Sequence, residues 1–212
     1  MSELHYTNVA GNFYDKYGSK NIVVRRMMAG FLAAFDHLVE TSGARVAHEI
    51  GCGEGNLTLR LARKGVAVRG CDVSEDIVEH ARVHAREVGI STPFAVKSLY
   101  DLRAPHDAAE LVVCCEVLEH LPDTRKALDI LAELAQPFLI VSVPREPLWR
   151  FLNVCRLKYL SDFGNTPGHI QHWSSRTFLL LLQERFNVLA VSKPLPWTMA
   201  LCEVRVLREC AE

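Results

Sequence analysis

The sequence lacks several features that would each indicate a specialised class of protein. Its seven cysteines, an odd number, include no C-x-x-C pair, so neither a disulfide framework nor a four-cysteine zinc site is predicted. With 24 basic and 25 acidic residues, the chain has no overall basic field of the kind that attracts nucleic acid or an anionic membrane. No apolar run approaches the length of a membrane span, and residues 1–10 do not resemble a secretion signal. We therefore expect a cytoplasmic protein with reduced, mostly buried thiols.

The composition of the chain is that of a single globular domain. Hydrophobic residues make up 49% of the 212 residues and charged residues 23%, which is typical of a chain that folds around one core. No internal repeat or low-complexity segment divides it. We predict one domain over residues 1–212, with a helical lid over residues 1–42 and an inserted substrate cap over residues 144–173.

Short apolar runs alternate with amphipathic segments along most of the chain. After a predicted helix at 22–39, the predicted strands are 44–50, 66–71, 93–97, 111–115 and 138–143, and the helices between them are 56–64, 76–88 and 123–134. Such alternation predicts a parallel sheet covered on both faces by helices. A further helix at 174–184 precedes two strands, 187–192 and 199–206, which predict an antiparallel hairpin. The expected fold is α/β, with five parallel strands plus this C-terminal hairpin in a seven-stranded sheet.

A glycine-rich turn follows the first predicted strand. It comprises Glu49, Gly51, Cys52, Gly53 and Gly55, and residues without a Cβ atom let the backbone approach a ligand closely. By itself the pattern also fits other nucleotide sites or an ordinary tight turn.

An acidic residue ends the second predicted strand. Asp72 lies 21 residues after Gly51, a spacing at which a carboxylate accepts both hydroxyls of a ribose. The alternative is an acid at a helix N-terminus, for which Ser74 and Asp76 are better placed. The spacing therefore favours a nucleoside ligand.

A third motif, Glu116-Val-Leu-Glu-His-Leu-Pro-Asp123, follows the fourth predicted strand. The spacing of Glu116, Glu119 and His120 places them on one face of a helical turn. Two carboxylates and an imidazole suit a divalent ion such as Mg²⁺, Mn²⁺, Fe²⁺ or Zn²⁺, with a fourth ligand from the cap. We expect His172 to be that ligand, with His169 as the alternative.

Taken together, the three motifs resemble those of class I, Rossmann-like S-adenosylmethionine (SAM)-dependent methyltransferases of type 11/12. The resemblance covers roughly Arg45 to Pro144 and implies SAM as cofactor. It implies that Glu49 and the glycines border the methionine moiety, with Asp72 at the ribose. Further cofactor-binding candidates are Val73, Ser98, Leu99, Glu116, Tyr14 and Arg25. Many relatives carry Asp where Ser98 stands, which weakens the expected contact with the adenine amino group.

The third motif with a later histidine resembles two subfamilies that use a metal: ubiquinone-biosynthesis O-methyltransferases and small-RNA 3′-terminal 2′-O-methyltransferases. In them the ion holds neighbouring substrate oxygens and lowers the pKa of a hydroxyl. The same motif occurs in relatives without a metal, where it packs the strand-to-helix junction. The predicted catalytic residues are His120, His172 and Glu116, and without a metal His120 or a cap histidine would act as general base.

Three functions fit these motifs: O-methylation of a small-molecule hydroxyl, 2′-O-methylation of an RNA 3′ end, and SAM or nucleotide binding without catalysis. The even charge balance favours a small-molecule acceptor, and nucleic acid is not expected as a partner. The basic, apolar segment 145–160 is read as a cap over the substrate, with peripheral membrane contact as the alternative. The sequence sets neither the acceptor atom nor the oligomeric state.

Overall fold

The fold is built on one seven-stranded sheet. The computed structural model describes residues 17–155, 163, 165–166 and 168–205. The strands are β1 (Val46–Ile50), β2 (Ala67–Asp72), β3 (Phe94–Val96), β4 (Ala109–Cys115), β5 (Ala135–Pro144), β6 (Phe186–Ser192) and β7 (Trp197–Val204), in the order β3-β2-β1-β4-β5-β7-β6. The first five are parallel, and β7 is antiparallel to both β5 and β6. The predicted fold class is confirmed.

In the described part of the chain, six α-helices connect the strands or cover the sheet. They are α1 (Ile22–Ser42), α2 (Asn56–Arg63), α3 (Glu75–Glu87), α4 (Thr124–Leu134), α5 (Leu148–Cys155) and α6 (Ser175–Leu182). Four begin after a side chain that accepts a bond from a backbone N–H of the first turn: Asn21, Ser74, Asp123 and Ser174. These local signals explain why the predicted helix starts lie close to the observed ones.

Helix α1 belongs to the core. Phe35 and Leu38 are fully buried, and their cluster includes residues of β4, β5 and β7. The guanidinium of Arg60 on α2 binds both carboxylate oxygens of Asp36 on α1, at 2.7 and 2.6 Å. Of the predicted lid at residues 1–42, the helical part is thus a packed element, and residues 1–16 lie outside the described part of the chain.

The last strand begins two residues earlier than its apolar pattern predicts. Pairing of β7 with β5 extends to Trp197, which lies opposite Pro144. Trp197 thereby enters the sheet at the edge where β1 to β4 end. The predicted C-terminal end of this strand, at 206, lies outside the described residues.

The segment between β5 and α6 contains α5 and a loop that returns to the sheet. Trp149 on α5 donates from Nε1 to Thr166 Oγ1 at 2.9 Å, and Asn153 Nδ2 donates to the same oxygen at 3.2 Å. The indole of Trp149 also stacks on His169, with ring centroids 6.1 Å apart. Residues 156–162, 164 and 167, part of the predicted cap, lie outside the described residues. None of the described helices combines the length and apolar character needed to cross a bilayer.

Candidate cofactor and metal site

A cavity of about 780 Å³ opens at the carboxyl ends of β1 to β4. Its size falls in the range of roughly 300–1,000 Å³ that is usual for small-molecule sites. Ligands of open α/β sheets bind at this edge, where the connections leave the sheet in opposite directions. Nine of the predicted cofactor residues line it: Glu49, Gly51, Cys52, Gly53, Asp72, Val73, Ser98, Leu99 and Glu116.

The glycine turn and Asp72 are bonded to each other. The backbone N–H groups of Gly51 and Cys52 donate to Cys71 O at 2.8 and 2.9 Å. Asp72 Oδ2 accepts from Gly53 N at 3.0 Å. A left-handed backbone at Gly51 (φ 73°) allows the turn to reverse within this short span. Asp72 therefore fixes the shape of the turn as well as facing the cavity.

Glu49 lies beneath the turn, almost completely buried, with 3% of its surface exposed. Its Oε2 accepts a hydrogen bond from the Thr58 hydroxyl. Burial, assisted by the nearby charge of Asp72, raises the pKa of Glu49 to about 8, although the bond from Thr58 acts in the opposite direction. The protein without ligand therefore favours a protonated Glu49 at neutral pH.

This raised pKa predicts a pH-dependent difference in stability between the wild type and Glu49→Gln. Glu49 in the unfolded chain has a pKa near its ordinary value of 4.5. Its stabilising contribution is fully present below pH 4.5, is lost as the pH rises towards 8, and stays constant above that. Urea unfolding from pH 5 to 8 should show the wild type losing up to about 1.4 kcal/mol per pH unit relative to the variant. Parallel pH profiles for the two proteins would contradict the prediction.

The far end of the cavity is formed after β3, by residues 97–101. Ser98 Oγ accepts from Tyr100 N at 3.3 Å, so this hydroxyl caps a short 3₁₀ turn. Lys97 Nζ lies 2.8 Å from Asp107 Oδ1. Asp101 also lines this end of the cavity and supplies a carboxylate there.

Two of the predicted cofactor residues that the structure describes, Gly55 and Arg25, do not line the cavity. Gly55 begins α2 with φ 79°, and a Cβ atom there would lie 2.9 Å from Phe94 Cζ, so this glycine serves helix packing. Arg25 is exposed on α1 and does not line the cavity, so the structure does not bring it together with the other predicted cofactor residues. Tyr14 lies outside the described residues. From the same N-terminal segment, Tyr17 lines the cavity instead.

One group in the described chain has a geometry suited to a metal ion. One ligand atom each from Glu119, His120 and His169 lies within 4.8 Å of the other two. Glu119 is 1% exposed and His169 8%, and the imidazoles of His120 and His169 meet edge to face, with centroids 4.9 Å apart. All three residues line the cavity.

Backbone hydrogen bonds bring the loop between α5 and α6 to Glu119 and His120. The N–H groups of Ile170 and Gln171 both donate to Glu119 O, at 2.9 and 3.1 Å. His120 Nδ1 lies 2.9 Å from Gly168 O. Because a carbonyl can only accept, Nδ1 carries the proton, and His120 Nε2 carries the lone pair that a metal or a proton requires.

The structure corrects the predicted ligand set at two positions. His172 is exposed and its Nε2 bonds Asn165 Oδ1 at 2.8 Å, so His169, the predicted alternative, stands beside His120 instead. Glu116 is not part of the group. Its backbone is left-handed, with φ 59°, and the 3₁₀ turn starts only at Leu118. The helical spacing that was expected to align Glu116 with Glu119 therefore does not apply.

Three aromatic or apolar residues of the cavity wall were not predicted. Met28 and Phe31 come from α1, where a helical spacing of three places them on one face. Trp197 comes from the start of β7, and its ring meets Phe31 edge to face at 5.0 Å. The amphipathic pattern of α1 pointed to a buried face, whereas nothing local marks Trp197.

A family model described as a methyltransferase domain matches residues 47–137. The matched segment extends from β1 past β4 and contains the glycine turn, Asp72 and the motif that follows β4. Residues 47–137 are thus similar to methyltransferase domains.

Curated proteins similar to this chain are named ubiquinone biosynthesis O-methyltransferase. One from Xylella fastidiosa (strain 9a5c) is 38% identical over 100 residues, which cover 47% of this chain and 40% of the relative. One from Xanthomonas euvesicatoria pv. vesicatoria (strain 85-10) is 33% identical over 127 residues, which cover 58% and 53%. The match thus spans about half the length of these relatives.

Solved structures of low sequence identity share the fold of this chain. The magnesium protoporphyrin IX methyltransferase from Synechocystis PCC 6803, solved with SAH, aligns with a TM-score of 0.67 at 23% identity over 89% of this chain and 90% of the other. The N-methyltransferase NodS from Bradyrhizobium japonicum WM9 aligns with a TM-score of 0.64 at 19% identity over 84% and 96%.

Proposed function

We propose that this protein is a SAM-dependent methyltransferase that methylates a hydroxyl of a small molecule, assisted by a divalent ion. The observation that carries the proposal is the group of Glu119, His120 and His169 in the wall of the cavity. The curated relatives named as ubiquinone biosynthesis O-methyltransferases support the choice of oxygen as acceptor atom.

The residues at the strand ends fit an adenosyl ligand. The hydroxyl and amino groups of such a ligand need acceptors, and Asp72 and Asp101 offer carboxylates at separate points of one cavity. The small turn residues Gly51 and Gly53 leave the backbone open to the ligand. When bound, SAM supplies an activated methyl group on a cationic sulfur.

The donor set of the metal-capable group is two imidazoles and one carboxylate. Such a set favours Zn²⁺ or Fe²⁺ over Mg²⁺, because Mg²⁺ prefers an all-oxygen shell. An ion held there would lower the pKa of an acceptor hydroxyl. The bond of His120 to Gly168 O orients its imidazole, and the bonds of Ile170 and Gln171 to the backbone oxygen of Glu119 hold the loop that carries His169.

The chain's other contribution is positioning. The acceptor's hydroxyl must meet the methyl carbon in line, and a fixed approach removes much of the entropic cost of the step. The apolar and aromatic wall of Met28, Phe31 and Trp197 can hold a flat or apolar acceptor and exclude water. If no ion is needed, His120 Nε2 is the atom that can take the hydroxyl proton.

Methyl transfer from radiolabelled SAM to a panel of phenols, catechols, carboxylates and short RNAs tests the proposal. We expect turnover with a phenol or catechol, a loss of at least about tenfold in kcat/KM after EDTA treatment, and recovery with Zn²⁺ or Fe²⁺. Turnover that EDTA leaves unchanged would refute the assistance by a metal ion and leave His120 as the group that takes the hydroxyl proton. Turnover only with RNA would support the 2′-O-methyltransferase alternative, and SAM binding without any turnover would support a non-catalytic protein.

A further inference from the structure

Glu116 adopts a backbone conformation that needs support from its surroundings. Its φ of 59° is unfavourable for a residue with a side chain, and such conformations persist where surrounding contacts fix them, often at ligand sites. Glu116 N donates to Ser142 O at 3.0 Å, and Ser142 Oγ donates to Glu116 Oε1 at 3.2 Å. β5 therefore holds both the backbone and one oxygen of Glu116.

The second oxygen of Glu116 is held from β7. Trp197 Nε1 donates to Glu116 Oε2 at 2.6 Å, and hydrogen bonds to a charged acceptor are among the stronger ones in proteins. The indole is 2% exposed and is packed against Phe31 and Trp149, with ring centroids 5.0 and 5.8 Å away. Trp197 thus has no room to turn away, and the carboxylate is fixed where it faces the cavity.

The order of the strands places Glu116 beyond the ribose site. Asp72 ends β2, Gly51 follows β1, and Glu116 follows β4, and these strands are neighbours in that order. With about 4.8 Å between strands, Glu116 lies on the order of 10 Å along the edge from Asp72. Because the sulfur of an adenosyl ligand is attached to its ribose, a ligand with its ribose at Asp72 extends its sulfur towards Glu116.

The surroundings of Glu116 are rich in negative charge. Apart from Glu49, which is protonated at neutral pH, five of the described cavity residues carry carboxylates, namely Glu54, Asp72, Asp101, Glu116 and Glu119. Lys97 is the described cavity residue with an amine or guanidinium, and it is paired with Asp107. Burial, together with the nearby charges of Glu116 and Glu54, keeps the pKa of the Tyr17 phenol well above its ordinary value. A neutral phenol and converging carboxylates make this end of the cavity suited to a cation.

We infer that Glu116, held in place by Trp197, is the counter-charge by which the site distinguishes the cationic cofactor SAM from its neutral thioether product, SAH. The inference rests on the proposed function, since it requires SAM to bind in this cavity. SAM and SAH differ by the methyl group and the positive charge on sulfur, so a carboxylate facing that sulfur stabilises one and not the other. Glu116 is thus a specificity-determining residue, and Trp197 is a positioning residue that acts through it.

Calorimetric titration with SAM, SAH and sinefungin, whose amine replaces the sulfonium, tests this inference in the presence of EDTA. For the wild type we expect SAM and sinefungin to bind about tenfold more tightly than SAH. In Glu116→Gln the amide oxygen can still accept the bond from Trp197, but the charge is gone. We therefore expect the ratio of the SAH and SAM dissociation constants to fall to within about twofold of unity, with the SAH affinity itself retained.

Trp197→Phe keeps an aromatic ring but removes the N–H donor. The expected result is a smaller fall in the same ratio, by about threefold, because Glu116 is no longer fixed. Asp101→Asn is the matched control, since it removes a carboxylate at the far end of the same cavity. It should change the SAM and SAH affinities by the same factor and leave their ratio intact.

Three outcomes separate this inference from the proposed function. A wild-type protein that binds neither SAM nor SAH overturns the proposed function and the inference together. SAM binding with a ratio that Glu116→Gln leaves unchanged overturns the inference alone. A ratio that falls equally in Asp101→Asn also overturns it, since the effect would then come from the total charge of the cavity. Retained SAH binding shows in each variant that the site is folded.

Discussion

Replacing Gly51 by alanine is expected to weaken SAM binding by at least about 100-fold. A Cβ atom at this position would lie 2.3 Å from Val117 Cγ2, and the branched side chain of Val117 has few alternative rotamers. The left-handed backbone of Gly51, with φ 73°, adds about 1–2 kcal/mol for any other residue. The turn must therefore shift, and with it the backbone that faces the ligand. Calorimetric titration of SAM and the thermal unfolding midpoint measure the two effects.

Two other glycines separate the steric effect from the backbone effect. Gly65, after α2, has φ 81° and open space around the position of a Cβ atom, and it does not line the cavity. Gly65→Ala should cost about 1 kcal/mol in stability and leave SAM affinity unchanged. Gly53→Ala, in the same turn with φ 52° and no neighbour within 4 Å, should weaken binding less than Gly51→Ala. Equal SAM affinity in Gly51→Ala and wild type would refute the close approach of Val117.

Replacing His169 by alanine is expected to reduce the affinity for Zn²⁺ or Fe²⁺ by about 100-fold or more, since loss of an outer-shell partner alone typically costs about 10–100-fold. His169 is buried beside His120 and Glu119, and its side chain supplies one of the three ligand atoms. Metal binding can be followed directly by calorimetry on the metal-free protein, without any acceptor. Methyl transfer at a fixed, limiting ion concentration should fall in parallel.

His172→Ala is the matched control for this experiment. The two histidines are three residues apart in the same loop, but His172 is exposed and bonds Asn165. Its replacement should leave ion affinity within about twofold of the wild type, because it lies outside the group of ligands. If His172→Ala loses the ion and His169→Ala keeps it, His172 is the fourth ligand, as the sequence predicts, and His169 is not a ligand.

Much of the fold could be predicted from the sequence because its signals are local. Apolar runs of five or six residues, helix caps such as Ser74 and Asp123, and the glycines of the turn each depend on neighbours within one or two turns of chain. The spacing of Asp72 from the turn is also local, since one β-α-β unit separates them. For this reason the five parallel strands lie close to their predicted positions, and nine of the predicted cofactor residues line one cavity.

The acceptor end of the cavity depends on contacts between distant residues. Trp197 lies 81 positions from Glu116 in the sequence. No sequence pattern around a tryptophan at the start of a strand indicates which residue its indole N–H will bond. The choice between His169 and His172 depends on two backbone bonds to Glu119 O, which no side-chain pattern encodes. The left-handed conformation of Glu116 is likewise supported by contacts with β5 and β7. Because of this conformation, Glu116 does not lie on the common helical face with Glu119 and His120 that its spacing predicts.

The position of β7 between β5 and β6 also bears on the order in which the cavity wall is completed during synthesis. The cavity residues that follow β1, β2 and β3 have been translated once residue 101 is reached, but the donor that fixes Glu116 is Trp197. A chain that still lacks β7 contains the partners of Glu116 on β5 but not the indole. The conformation of Glu116 is therefore fully supported only after β7 has been synthesised and has paired with β5.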